Sequence, residues 1–196
     1  IDSKPGLREM LLHLIQVHGY RKFAFVKGPE NNQEAAQRFQ VYKDTLTEYD
    51  IPIDKDLIFP GQFIIESGTS AVKFFLDKKH ILPDVIVSAN DGMTLGVQEE
   101  LQRRGISIPY EIAHTGFDDQ SSSSYSNPSI SSVRQPLEEQ GAAAVKLIDA
   151  LIAGKKMDRL TILNTKAVFR ESCGCFTSCK EYQDTYNFQQ GLERKR

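Results

Sequence analysis

Through the first 120 residues, stretches with apolar side chains at helical spacing alternate with short, almost wholly apolar runs, and few folds accept that order. Leu7, Met10, Leu11, Leu14 and Ile15 recur at offsets of 3, 4, 7 and 8, with Pro5 near the first turn and Gly19 after the last, which predicts an amphipathic helix. Residues 22–27 form an apolar run closed by Gly28-Pro29, as expected of a strand buried on both faces. The pattern repeats. A second helix carries Ala35, Phe39, Tyr42 and Leu46 ahead of a strand near 57–59, and a third, after Ser67, carries Ala71, Phe74 and Phe75 ahead of a strand at 85–88. A fourth helix runs from Asp91, placed as N-cap, to Arg104, with Gly105 as the residue that ends it, before a strand at 112–117. The order predicts an α/β fold, a doubly wound, Rossmann-like parallel sheet with helices on both faces.

The last third breaks the alternation. A polar stretch at 118–126 includes the serine run 121–124, which reads as a flexible loop at a cleft rim. A short strand at 130–133 follows, then a helix opened by Pro136, carrying Leu137, Gly141, Val145, Ile148 and Ile152, and ended by Gly154. From about Cys179 the chain turns polar and reads as a helical or frayed connector. With 24 Lys and Arg against 26 Asp and Glu, no overall field draws the chain to nucleic acid or to a membrane, and no apolar run is long enough to span a bilayer. It opens at Ile1 with neither an initiator Met nor a leader pattern, and the expectation is a cytoplasmic fragment.

Ligands of an open parallel sheet bind outside the carboxyl ends of its strands, so polar residues there are the first candidates. The strand at 85–88 runs into Asn90 and Asp91, the strand at 112–117 into Asp118 and Asp119, and the strand at 22–27 into Gly28-Pro29 with Arg38 beyond. An amide, a carboxylate and a guanidinium around one crevice suit a ligand with several hydroxyls or ring nitrogens. The plainer alternative, that Asp91 only caps a helix and Asp118 only shapes a turn, weighs about equally on spacing alone. No G-x-G-x-x-G, no P-loop and no nucleophile elbow is present, and the spacing of Asp91, Asp118 and Asp119 does not establish acid/base chemistry, so an enzyme is not expected. His13, His18, His80 and His114 are scattered, without zinc-site spacing, and read as satisfied structural histidines. Cys173, Cys175 and Cys179 could converge on one ion, yet they lack zinc-ribbon spacing and an obvious fourth ligand; reduced thiols, with no metal and no cofactor, are expected.

Several segments together resemble one family. Ala89-Asn-Asp-Gly-Met-Thr-Leu-Gly96, Ile112-Ala-His-Thr-Gly-Phe-Asp-Asp119 and Ile130-Ser-Ser-Val-Arg-Gln-Pro136 match, in order and spacing, the effector domain of the lactose/galactose-repressor (LacI/GalR) family of bacterial transcription regulators. Gly28-Pro29 with Arg38 and Tyr42, Gly61-Gln-Phe63 with Glu66-Ser-Gly68, and Arg170-Glu-Ser-Cys173 extend the likeness over about residues 1–175. The resemblance implies a type I periplasmic-binding-protein fold, with a small ligand clamped between two Rossmann-like lobes. It implies that Arg38 reaches the effector's polar groups, that Phe63 stacks on a sugar or purine ring, that Asn90 makes a polar contact, and that Asp118 accepts hydrogen bonds from the effector, with Gln135 on the segment that returns between the lobes.

It also implies a division of the chain. Residues 1–120 would form a complete lobe, 121–160 part of a second lobe (a returning strand and a helix), 161–178 a strand returning to the first lobe with the cysteine segment, and 179–196 the connector. The partners implied are a small-molecule effector of the sugar, nucleobase or nucleoside class, a second copy in a homodimer, and DNA only through a headpiece absent from this sequence. His114 departs from the pattern, standing where the family has an apolar strand residue. Two other readings stay open: a periplasmic sugar-binding protein, and a sensor domain joined to a histidine kinase or a diguanylate cyclase, which the tail after Arg170-Glu-Ser-Cys-Gly-Cys175 resembles.

Overall fold

The computed structural model describes residues 1–155 and 160–175. Helix α1 (Lys4–Gln16) leads to β1 (Phe23–Lys27), α2 (Gln33–Glu48), β2 (Ile58–Pro60), α3 (Ile65–Lys73), β3 (Val85–Ser88), α4 (Asp91–Arg103) and β4 (Ala113–Thr115). The strands make a parallel sheet in the order β2-β1-β3-β4, with Phe25 opposite Ile58 on one side and Val87 on the other. Phe23, Ala24, Phe25 and Val26 are all buried, and since neighbours on a strand point to opposite faces, both faces of the sheet are covered. This is the doubly wound α/β fold that the alternation predicts.

Helix α1 packs on α2, and its five periodic apolar residues are no more than 2% exposed. Burial of each such side chain contributes about 1.5–3 kcal/mol. The Tyr42 ring on α2 lies 4.6 Å from the Phe25 ring, and its hydroxyl donates to the Phe23 carbonyl at 3.1 Å, so its polar end is satisfied inside the core. On the other pair, α3 and α4 meet backbone to backbone. A Cβ on Gly68 would collide with the Met93 carbonyl oxygen, and one on Gly96 with that of Ile65, so these two positions admit only glycine.

Beyond β4 come a short helix α5 (Ser121–Tyr125), β5 (Ser132–Arg134), α6 (Leu137–Ile152) and β6 (Lys166–Val168). Strands β5 and β6 pair antiparallel, and bridges from Thr115 to Ser131 and from Asp118 to Arg134 set β5 alongside β4. The start of α1 and the residues just before it seat this end of the chain: Gly6 N donates to Thr165 Oγ1 at 3.1 Å and Asp2 N to the Leu163 carbonyl at 2.8 Å. Helix α6 is different, for none of its residues is buried, and Val145, Ile148, Leu151 and Ile152 stand open.

Four local expectations need correction. The N-cap of α4 is Asn90, whose Oδ1 accepts from Met93 N at 3.0 Å, and Asp91 is the first helical residue, turned inward. The serine run is a helical turn with Ser123 buried, not a loose loop, because Asp91 Oδ2 accepts from Ser123 Oγ at 2.7 Å and from Gln120 N at 2.8 Å. Helix α3 starts at Ile65 instead of after Ser67 and gives way to a π turn over Phe74–Lys78. His114, within β4, is fully buried with neither ring nitrogen hydrogen-bonded, so it is not a satisfied histidine; burial pushes its pKa down to about 3 and keeps it neutral. The connector expected at 179–196 lies outside the described residues.

Candidate functional site

Arg38 reaches the carboxyl end of the sheet because α2 starts there. Asn32 caps the helix by accepting from Ala35 N at 2.9 Å, and Ala35, Arg38 and Tyr42 share its inner face. The guanidinium is buried. Nη1 donates to the Ala89 carbonyl, just past β3, at 2.6 Å; Nη2 pairs with Glu34 at 2.9 Å and stands 3.7 Å from Asp118 Oδ1. Its Cζ lies 3.7 Å over the Phe117 ring and 5.9 Å from that of Phe63. Burial draws the Arg38 pKa down from its ordinary value, and Asp118, Glu34 and Asp91 work against that shift.

Asp118 follows β4 in a backbone conformation of positive φ, 112°, that turns its side chain toward Arg38. Burial raises its pKa, opposed by Arg38 and by Gln135, whose Nε2 donates to Oδ1 at 2.6 Å. Arg38, Asp118 and Gln135 therefore form one chain of charge-assisted contacts at the strand ends. Phe63 also has positive φ, 62°, and its carbonyl accepts from Asn90 Nδ2 at 3.1 Å. Asn90 thus spends one polar group on capping α4 and the other on fixing the Phe63 turn.

Asp119 points the other way. Its carboxylate sits between Arg134 at 2.6 Å and Arg170 at 2.7 Å, tying β5 and the segment after β6 to the end of β4. Asp91 is held in the interior by Ser132, Ser123 and the Gln120 amide, and burial raises its pKa to about 6 against those three donors. A cleft of about 470 Å3 opens beside Asp118, Asp119, Arg134, Gln135, Glu138 and Lys166. That volume fits a small ligand. Arg38, Phe63 and Asn90 are not part of its lining.

The structure brings Arg38, Asp118 and Gln135 into one array, with Phe63 beside it and Asn90 behind it. The strand-end reading missed Phe117 and Glu34. Glu34 had a signal in its i, i+4 spacing to Arg38, whereas Phe117 reads as one more apolar strand residue. Cys173 and Cys175 lie elsewhere, near the end of α1, and Cys179 is outside the described residues.

Residues 12–173 match the periplasmic binding protein-like domain family, and the chain belongs to it. Its relatives are LacI-type regulators. It is 30% identical over 175 residues to the HTH-type transcriptional regulator CelR of Thermobifida fusca, covering 88% of this chain and 50% of that protein. It is 31% identical over 174 residues to catabolite control protein A of Priestia megaterium, covering 88% and 52%. Among solved structures, the Escherichia coli repressor ascG superposes with a TM-score of 0.79 at 26% identity, over 86% of this chain and 61% of that one. A CelR–cellobiose complex does so with a TM-score of 0.74 at 26% identity, over 86% and 50%. The chain spans about half the length of the curated relatives it matches. Among the described residues, no helix is long and apolar enough to cross a membrane.

Proposed function

We propose that this chain is the ligand-sensing domain of a LacI-type regulator, which takes a small polar effector of the sugar or nucleoside class and passes lobe closure to a DNA-binding domain outside this sequence. The observation that carries the reading is the Arg38–Asp118–Gln135 array at the carboxyl ends of β1, β3 and β4, where a parallel sheet receives its ligands. In this reading Arg38 and Asp118 grip hydroxyls or ring nitrogens, Gln135 adds an amide, Phe63 covers the apolar face of a ring, and Asn90 makes a polar contact at its strand end while its amide holds the Phe63 turn. The relative whose structure holds cellobiose favours a sugar.

Residues 1–120 form the complete lobe of this arrangement, and 121–160 contribute to the second. The bridged β5 leans on the first lobe, so α6 is the part that belongs with the second, and its open apolar face is what a helix lacking its lobe would present. The segment with β6 and the two described cysteines returns to the first lobe. The protein acts as a cytoplasmic homodimer without enzymatic activity, and ligand shifts an open–closed equilibrium. A thermal-shift screen of monosaccharides, disaccharides, nucleobases and nucleosides on the full-length protein tests this. One class should raise the melting temperature dose-dependently; no shift from any class at millimolar concentration would reject the reading.

A further inference from the structure

The second chemical cluster of the molecule lies away from the strand ends, where the last turn of α1 meets the chain after β6. Two histidines from one region and two cysteines from the other arrive together: the ligand atoms of His13, His18, Cys173 and Cys175 all lie within 4.8 Å of one another. His13 Nε2 is 3.0 Å from Cys175 Sγ and 3.1 Å from His18 Nε2, and His18 Nε2 is 3.5 Å from the same sulfur. A tetrahedron with Zn–S bonds near 2.3 Å and Zn–N bonds near 2.0 Å has edges of about 3.3–3.8 Å, so these groups need only small adjustments to share one ion. We infer that His13, His18, Cys173 and Cys175 form a Cys2His2 site for Zn2+.

The surroundings suit a structural site. His13, Cys173 and Cys175 are buried and His18 is half-buried, which leaves little room for a fifth ligand or a substrate. Ring orientations are held from outside: Phe169 stacks on His13 at 3.9 Å, and Tyr20 stacks on His18 at 5.4 Å while its hydroxyl donates to the Cys173 carbonyl at 3.2 Å. Between the two cysteines, Gly174 takes φ +105°, and a Cβ there would stand 2.9 Å from the His18 ring. Glycine is what lets the Cys-x-Cys turn fold back over the imidazole. Two thiolates and two neutral imidazoles select a borderline-soft tetrahedral ion over magnesium or calcium. Binding replaces the two thiol protons, which go to solvent, and the bound Zn2+ with two thiolates is neutral overall. The ion fastens residues 170–175 to α1.

The test uses the full-length, untagged protein purified under reducing conditions. Elemental analysis should find about one zinc per chain. After chelation and addition of Co2+, the spectrum should show the intense visible bands of tetrahedral cobalt and a sulfur-to-cobalt charge-transfer band in the near ultraviolet. Cys175→Ser should lose about half of the charge-transfer intensity, since one of two thiolates is gone. His18→Ala, at the half-buried edge of the site, should keep the native circular dichroism spectrum and weaken zinc binding by about 100-fold or more, as read by competition with a chromogenic chelator. Cys179→Ser should change nothing. Absence of zinc together with an octahedral cobalt spectrum would overturn the proposal, as would a Cys173–Cys175 disulfide in protein prepared anaerobically. Loss of the cobalt bands in Cys179→Ser but not in His18→Ala would overturn this ligand set.

Discussion

Arg38 Nη2 stands 3.7 Å from Asp118 Oδ1, too far for a direct hydrogen bond and close enough for strong Coulomb attraction, while both side chains keep shorter bonds elsewhere. The pair is poised around a gap that a ligand hydroxyl can bridge. Asp118→Asn keeps the acceptor for Gln135 and tolerates positive φ, so it should leave the melting temperature within a few degrees while weakening effector affinity at least tenfold, about 1.4 kcal/mol. Calorimetric titration of both forms decides this, and unchanged affinity would remove Asp118 from the site.

Arg38→Ala looks from the sequence like an equally clean test of contact, and the structure says otherwise. The guanidinium holds the Ala89 carbonyl and lies on Phe117, so truncation should cost about 2–4 kcal/mol of stability as well as binding. Urea denaturation reads the first loss and calorimetry the second.

Phe63 stands beside the array on a strained turn. Phe63→Ala should reduce affinity for ring-bearing effectors about tenfold more than for acyclic polyols, since a stacking surface serves only a ring. Equal losses in a competition assay would reject the stacking role.

The buried Asp91 makes stability depend on pH in an unusual sense. Its pKa is about 6 in the folded protein against 3.8 for the ordinary carboxyl, so the folded state holds the proton more tightly. The stability it contributes is fully present below about pH 4, falls as pH rises to about 6, and is flat above that, for a total of about 3 kcal/mol. Asp91→Asn stays uncharged throughout, so its stability relative to wild type should improve by about that amount between pH 4 and pH 7 in denaturant titrations.

Gly96→Ala should destabilise the fold by about 3 kcal/mol or more, because the new methyl meets the Ile65 backbone of α3, which cannot rotate away as a side chain would. A fall in the denaturant midpoint with an unchanged slope is the expected signature.

The parallel sheet was legible because its two central strands, β1 and β3, are apolar runs buried on both faces and each flanking helix keeps its period, as in Leu7 to Ile15. Arg38 and Asp118 were legible because strand ends are where polar residues have work to do. What escaped was decided by contacts distant in sequence. Nothing near Asp91 announces that Ser123 and Ser132 will draw its carboxylate inward, and a serine run of unknown surroundings looks like a loop. Likewise, His13 and His18 are five residues apart and the cysteines 155 to 162 further on, so no local spacing could show four ligands meeting.

The hydrogen bond from Gly6 to Thr165 spans 159 positions of chain, and α1 has its apolar face completed only by what lies at the far end of that span. A ribosome adds about 5–20 residues per second, so α1, once made, waits roughly 10–30 s before its last neighbours exist. During that interval Leu7, Met10 and Leu11 have no finished seat. Nascent chains of this protein should therefore engage chaperones through α1, and let go only when the strand at 166–168 has cleared the exit tunnel.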